Sequence, residues 1–406
     1  MTAHIMYARR WPGTVLLAAA MVSCGGGAPG EPAESSAPVV LSAAAEAGKA
    51  LFFDTSLSAS GAQSCSTCHV PARAFTADPS VDHGLPVPLG GRNMDLPGFR
   101  NAPSLSYASF TPGFSIASGN TPTGGFFRDG RASSLAEQAQ LPFVTSFEMA
   151  NVNAAELVMR LQHSSATLAK FVAAYGQAPL ADPPQALRDI GLAIAAFESE
   201  DPAFHPFTSK YDYWLQGNAQ LTSRELQGLT LFNDPAKGNC AHCHISRRGN
   251  DGTPPQFTDY GLIALGVPRN RAIPANADPG YFDLGLCGPL RRDLAAHPEY
   301  CGLFKTPSLR NVALRRSFFH NGVFHSLRQV IEFYVERDTD PGKWYARRQD
   351  GSVDKFDDLP ARYHANVNTE PPFDRHPGNP PALGGTEIDD LVAFLETLTD
   401  GYAPPH

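Results

Sequence analysis

The sequence predicts a mainly α-helical protein made of two similar halves in tandem. Three observations support this. The pattern Cys65-Ser66-Thr67-Cys68-His69 returns as Cys240-Ala241-His242-Cys243-His244. The phrases around it return in the same order. Leu51-Phe52-Phe53-Asp54 is echoed by Leu231-Phe232-Asn233-Asp234, and Asn101-Ala102-Pro103-Ser104-Leu105 by Lys305-Thr306-Pro307-Ser308-Leu309. Phe126-Phe127-Arg128-Asp129-Gly130 is echoed by Phe318-Phe319-His320-Asn321-Gly322, and Ser134-Leu135 by Ser326-Leu327. Finally, apolar residues recur at helical spacing, and no convincing run of alternating strands is present.

In chain order, residues 1–24 read as an export signal. Arg9 and Arg10 precede the apolar run Val15 to Val22, which is too short to stay in a membrane. The run ends in Met21-Val22-Ser23-Cys24, which resembles a bacterial lipoprotein processing site with Cys24 as the lipidated residue. Plain cleavage nearby is the alternative. Residues 25–40 are rich in Gly, Pro, Ala and Ser and read as a flexible tether. The first domain is placed at 41–204 and the second at 205–406. The boundary falls between Asp201 and Ser209, where Pro202 and Pro206 interrupt the pattern.

Helix starts are marked by side chains that can cap free N–H groups. Asn153 with Glu156 precedes Leu157, Leu161 and Leu168. Residues 186–199 carry Leu187, Ile190, Ile194 and Phe197 on one face. Thr222 with Glu225 opens a helix leading to the second cysteine motif. Ser326 with Gln329 forms a capping box before Leu327, Val330, Ile331 and Tyr334. Asp389 to Leu398 makes a final helix. Two stretches, 245–303 and 337–385, are long and irregular, so they are candidate docking surfaces or solvated decoration.

The cysteine pattern carries the chemistry. In CxxCH the two thiols add across the vinyl groups of a haem, and the next histidine is held where it can take one axial position on the iron. The chain has seven cysteines, and four lie in this frame. One covalently bound c-type haem per domain is therefore expected. A four-cysteine zinc site is the alternative, but it needs no histidine after each pair. Covalent haem attachment takes place outside the bacterial cytoplasm, in keeping with an exported, periplasmic protein. There Cys287 and Cys301 can close a disulfide over the thirteen residues between them, with two separate buried thiols as the alternative. The net charge of −8 and the lack of a basic block exclude nucleic acid as a natural partner.

The CxxCH pair, FFRDGRASSLAEQ at 126–138, FEM at 147–149 and KTPSLRNVALRRSFFHNG at 305–322 together resemble the bacterial dihaem cytochrome c peroxidase and MauG superfamily. The resemblance runs from about residue 45 to the C-terminus. RDTDPGKWY at 337–345 and KFDDLP at 355–360 resemble the MbnH-like subgroup. The resemblance implies two cytochrome c-like helical domains with an interdomain Ca²⁺. The first haem would be the peroxide site, and the second would store or relay oxidising equivalents. His69 and His244 would be iron ligands, and Tyr334 would fall at the second ligand place of the second haem, where a phenolate favours oxidised iron. On sequence alone Tyr334 reads as a core tyrosine. Pro142 holds the matching place in the first half and cannot ligate iron, so that haem face would be open. His83 is similar to the switchable distal histidine of the family's peroxidases, with a surface-loop histidine as the alternative. Glu148 matches the family's distal glutamate and Gln138 its partner amide, a pair suited to moving a proton between peroxide oxygens.

Two departures stand out. The family usually has Trp between the haems, and Arg128 stands there, so transfer between haems would use another path, such as Phe127 or Trp214. The calcium site would use the Asn101 side chain with the carbonyls of Arg315 and Ser317, where the family usually has Thr and Pro.

The resemblance implies an enzyme that uses H₂O₂ to reach high-valent haem and then oxidises a side chain, a tryptophan, of a partner protein. One alternative is a cytochrome c peroxidase fed by a small redox protein, which Tyr334 in place of Met argues against. The other is a passive dihaem electron carrier, which an open first haem and Glu148 argue against.

Overall fold

The computed structural model describes residues 39–78 and 84–404. The export segment with Cys24, most of the tether, and His83 lie outside the described residues.

Among the described residues, eight helices of ten residues or more carry the fold. They are α1 (Ala43–Phe53), α2 (Leu135–Val144), α3 (Ala154–His163), α4 (Ser165–Tyr175), α5 (Pro183–Glu200), α6 (Ser223–Asn233), α7 (Leu327–Glu336) and α8 (Gly385–Glu396). The expected caps are present. Asn153 accepts from the Glu156 N–H, and Thr222 forms a full capping box with Glu225. Ser326 accepts from the Gln329 N–H, but the Gln329 side-chain oxygen takes the His325 N–H, one residue before the cap. Among the described residues strands are confined to three short antiparallel pairs: Leu89–Gly90 with Leu96–Pro97, Ser115–Ala117 with Thr121–Thr123, and Leu262–Ile263 with Phe304–Lys305.

Two large apolar cores organise the chain. One gathers Leu51, Phe52, Phe143, Phe171, Phe197 and Phe204, all within 47–204. The other gathers Phe232, Phe257, Phe333, Leu391 and Phe394 and lies within 211–398. Each rests on one close helix crossing, α1 on α5 and α6 on α8. A Cβ on Gly48 would come within 1.9 Å of the Ala193 carbonyl oxygen, and one on Gly228 within 2.0 Å of that of Asp390. Only glycine permits these contacts, although it costs a helix interior about 1 kcal/mol relative to alanine. The two glycines sit at matching places, three residues before Leu51-Phe52 and Leu231-Phe232.

The repeated phrases meet reciprocally. The Asn101 N–H donates to the His320 carbonyl at 2.8 Å, and the N–H of its counterpart Lys305 donates to the carbonyl of Arg128, the counterpart of His320, also at 2.8 Å.

The long irregular stretches are anchored rather than loose. Cys287 and Cys301 form a disulfide. Buried Arg337 donates to the carbonyls of Leu265 and Asn368, and Arg269 pairs with buried Asp358.

Candidate active site

Cys65–Cys68 form a single helical turn, with Ser64 N–H bonded to the Thr67 hydroxyl at 3.0 Å. Residues three apart share a helix face, so both thiols point the same way. The His69 N–H donates to the Cys65 carbonyl at 2.9 Å, and the His244 N–H donates to the Cys240 carbonyl at 2.8 Å. His69 Nδ1 lies 3.1 Å from the Phe75 carbonyl oxygen and His244 Nδ1 lies 2.9 Å from that of Phe257. A carbonyl only accepts, so Nδ1 carries the proton and Nε2 keeps a free lone pair for a metal. Burial lowers the pKa of both imidazoles and keeps them neutral. Phe75 and Phe257 both sit in the left-handed region, at φ 55° and 53°. Sequence reading passed over these carbonyls, although Phe75-Thr76 and Phe257-Thr258 repeat like the other phrases.

Each motif opens on its own cavity. The first, about 220 Å³, is lined by Cys65, Cys68, His69, Gln138, Pro142 and Glu148. The second, about 180 Å³, is lined by Cys240, Cys243, His244, Phe319, Tyr334 and Leu395. The thiol pairs face different cavities, so the four-cysteine zinc site does not form. Among the described residues no cluster of three or more His, Cys, Asp or Glu could hold an ion. The residues fit a haem in each cavity: two thiols on one side, an imidazole with its lone pair free, and walls of mainly apolar side chains.

The matched helices α2 and α7 each line one of the two cavities. Pro142 and Tyr334 hold equivalent places on them, each facing its own cavity. The Tyr334 ring stacks on Phe319 at 6.0 Å and packs on Phe373 at 5.3 Å. Burial, reinforced by the neighbouring Cys240 and Cys243, raises the pKa of its hydroxyl, so a phenolate there requires a cation close by.

Glu148 follows α2 in a pinned turn. Its N–H donates to the Thr145 carbonyl at 3.0 Å, and its own carbonyl accepts from Gly91 N–H at 2.8 Å. Burial pushes its carboxyl up to about 7, while the Arg131 charge pulls the other way. Arg131 is bonded to Asp129 at 3.0 Å and stacks 3.5 Å over the Phe127 ring. Gln138, on α2, faces the same cavity.

A second carboxyl was missed by sequence reading. Glu198 of α5 is 3% exposed, lines the first cavity, and its Oε2 has no hydrogen-bond partner. Burial pushes its carboxyl up to about 8. Its counterpart in the second half is Leu395, by the match of Phe197-Glu198 with Phe394-Leu395. That pairing was the available signal.

The remaining expected residues divide. Arg128 lines both cavities. Phe127 lines the first. Trp214 lines neither; it stacks on Tyr211 at 5.3 Å against the second core, which corrects its placement between the haems. Packing against that core, not proximity to the motifs, fixes its place. The Asn101 amide lies 3.1 Å from the Ser317 carbonyl and 3.5 Å from that of Phe319, which brings Asn101 and Ser317 together.

Two covalent-attachment motifs, imidazoles with free Nε2, and a carboxylate facing one cavity define the class of haem-dependent peroxidase-type oxidoreductases. Comparison with known proteins agrees. Residues 42–220 match the family model of di-haem cytochrome c peroxidases. Methylamine utilization protein MauG of Paracoccus denitrificans is 36% identical over 370 residues, covering 89% of this chain and 90% of that protein. The crystal structure of the diheme peroxidase BthA from Burkholderia thailandensis E264 superposes with a TM-score of 0.80 at 42% identity, covering 90% of this chain and 88% of that one. A MauG-like protein associated with microbial copper homeostasis superposes with a TM-score of 0.61 at 28% identity, covering 89% and 91%. The chain belongs to the dihaem cytochrome c peroxidase and MauG superfamily.

Proposed function

We propose that this chain is a periplasmic dihaem enzyme that reduces H₂O₂ to water with two electrons drawn from a tryptophan side chain of a partner protein. The observation that carries the proposal is the contrast between the matched places, Pro142 in the first cavity and Tyr334 in the second. One haem would have an open face for peroxide, and the other a hard anionic ligand suited to holding oxidising equivalents. The MauG and diheme peroxidase relatives support this reading.

Residues 41–204 and 205–406 would each hold one c-type haem, through Cys65, Cys68 and His69 and through Cys240, Cys243, His244 and Tyr334. The haems would supply the redox chemistry. This chain's residues would move protons and exclude water. Glu148 would take a proton from the near peroxide oxygen and return it to the far one, turning the far oxygen into a leaving water. Gln138 would orient the peroxide. Reduction to two waters consumes two further protons with the two electrons. The Asn101 side chain with the carbonyls of Arg315 and Ser317 would hold Ca²⁺ once the Asn101 amide turns its oxygen toward the Ser317 carbonyl. Attachment to the membrane would be through lipid on Cys24. Among the described residues no helix is long and apolar enough to cross a membrane.

The test is one equivalent of H₂O₂ added to the fully ferric protein, followed in the visible and near-infrared. A long-lived oxidised spectrum without prior reduction is expected, and it decays when a tryptophan-bearing partner is added. A requirement that one haem be reduced first would instead mark a cytochrome c peroxidase fed by a small redox protein.

A further inference from the structure

Five residues line both cavities: Arg128, Lys305, Thr306, Pro307 and Arg315. Three are cations, and their hydrogen bonds go to backbone carbonyls. Arg128 Nε donates to Asn101 O at 2.8 Å, Lys305 Nζ to Gly125 O at 2.6 Å, and Arg315 Nη2 to Ser308 O at 2.9 Å. Among the described residues none of the three forms a salt bridge, and Arg315 Nε has no hydrogen-bond partner.

The neighbouring arginines differ. Arg100 is held by Asp129 and Asp283, Arg131 by Asp129, and Arg310 by Asp212. Carboxylates are therefore supplied in this region, but none within salt-bridge distance of these three. All three are partly buried, and Arg128 is repelled by Arg315 and Lys305 by Arg128, so holding their charges together without a salt bridge is costly unless an anionic ligand completes the cluster.

We infer that Arg128, Lys305 and Arg315 form one shared carboxylate-binding site, which takes propionates from the haems in both cavities. The inference rests on the dihaem reading above. Two haems bring four carboxylates, and guanidinium groups suit them by their paired N–H donors. The residue standing where the family usually has tryptophan is thus an electrostatic tie between the cofactors. Each cation disfavours the more positive, oxidised state of both haems at once.

The test is spectroelectrochemistry on Arg128→Gln, Lys305→Met and Arg315→Gln, with Arg128→Lys as the charge-keeping control. Intact mass first establishes that two haems are attached; their absence from the wild type would overturn the dihaem reading itself. In two-haem variants, each neutral substitution is expected to shift the reduction equilibrium of both haems about tenfold toward the oxidised form, a fall of about 59 mV per one-electron couple. Arg128→Lys is expected to stay within threefold of wild type. Shifts confined to one haem, or equilibria unchanged within threefold in all three variants, overturn the shared site. If a variant does not mature with both haems, the wild type carries the test by resonance Raman. Propionate bending bands of both haems are expected to move when the N–H donors are exchanged in D₂O, and unmoved bands overturn the inference.

Discussion

Glu148→Gln isolates the proton-moving step. In the wild type the carboxyl titrates at about 7, raised by burial and restrained by Arg131. A general base works as the carboxylate, and the carboxylate fraction grows with pH. With a pKa near 7, about a tenth is ionised at pH 6 and about nine-tenths at pH 8. The second-order rate constant for peroxide, measured by stopped flow, is therefore expected to rise about tenfold between those pH values and then level off. The glutamine keeps the shape and loses the titration, so its profile should be flat and lower by roughly 10²–10⁴-fold. Arg131→Gln removes the charge that restrains the pKa, and the rise should move to higher pH. A wild-type profile that is flat from pH 5 to 9, or a Glu148→Gln rate matching the wild type, would refute the assignment.

Other outcomes follow from the packing. Asp212→Ala strands Arg310, which is 2% exposed and held by Asp212 through two 2.9 Å hydrogen bonds. The loss should be about 3–5 kcal/mol, seen as a lower unfolding midpoint, and an unchanged midpoint would count against that pair as a major support. Glu198 has a folded-state pKa raised from 4.5 to about 8, so its contribution is complete below about pH 4.5 and is lost as pH rises toward 8. Glu198→Gln should match the wild type at pH 4.5 and exceed it in stability by on the order of 3–5 kcal/mol at pH 9; equal stability at both pH values would contradict this. The Cys287–Cys301 disulfide closes a short loop. Replacing both cysteines with serine should cost about 3 kcal/mol, read by chemical denaturation.

The features legible in the sequence were those written in contiguous residues or in the repeat. The attachment motifs needed no tertiary information. Tyr334 was singled out by the family resemblance and Pro142 by its register with Tyr334, because α2 and α7 start from the same Ser-Leu and have equal length. What stayed hidden depends on pairs brought together through space. Asp212 and Arg310 are 98 residues apart, and Arg100 and Asp283 are 183 apart, so neither leaves a local pattern. Lys305 read as an ordinary cation of a repeated phrase, and Arg315 only as a backbone ligand of calcium, until both cavities were seen to open on them. Trp214 misled for the converse reason: an aromatic near a motif in sequence says nothing about which side of a core it packs on.

The reciprocal hydrogen bonds between Asn101 and His320 and between Lys305 and Arg128 bear on how the molecule comes apart. Each half supplies one donor and one acceptor met by the other half, at the seam where the cations without a salt bridge lie. Separating the halves would break both bonds and open the two cavities along the same edge. Breaking the two bonds together would couple the duplicated modules in unfolding, and a half cut out alone would carry an unfinished wall where its twin belongs.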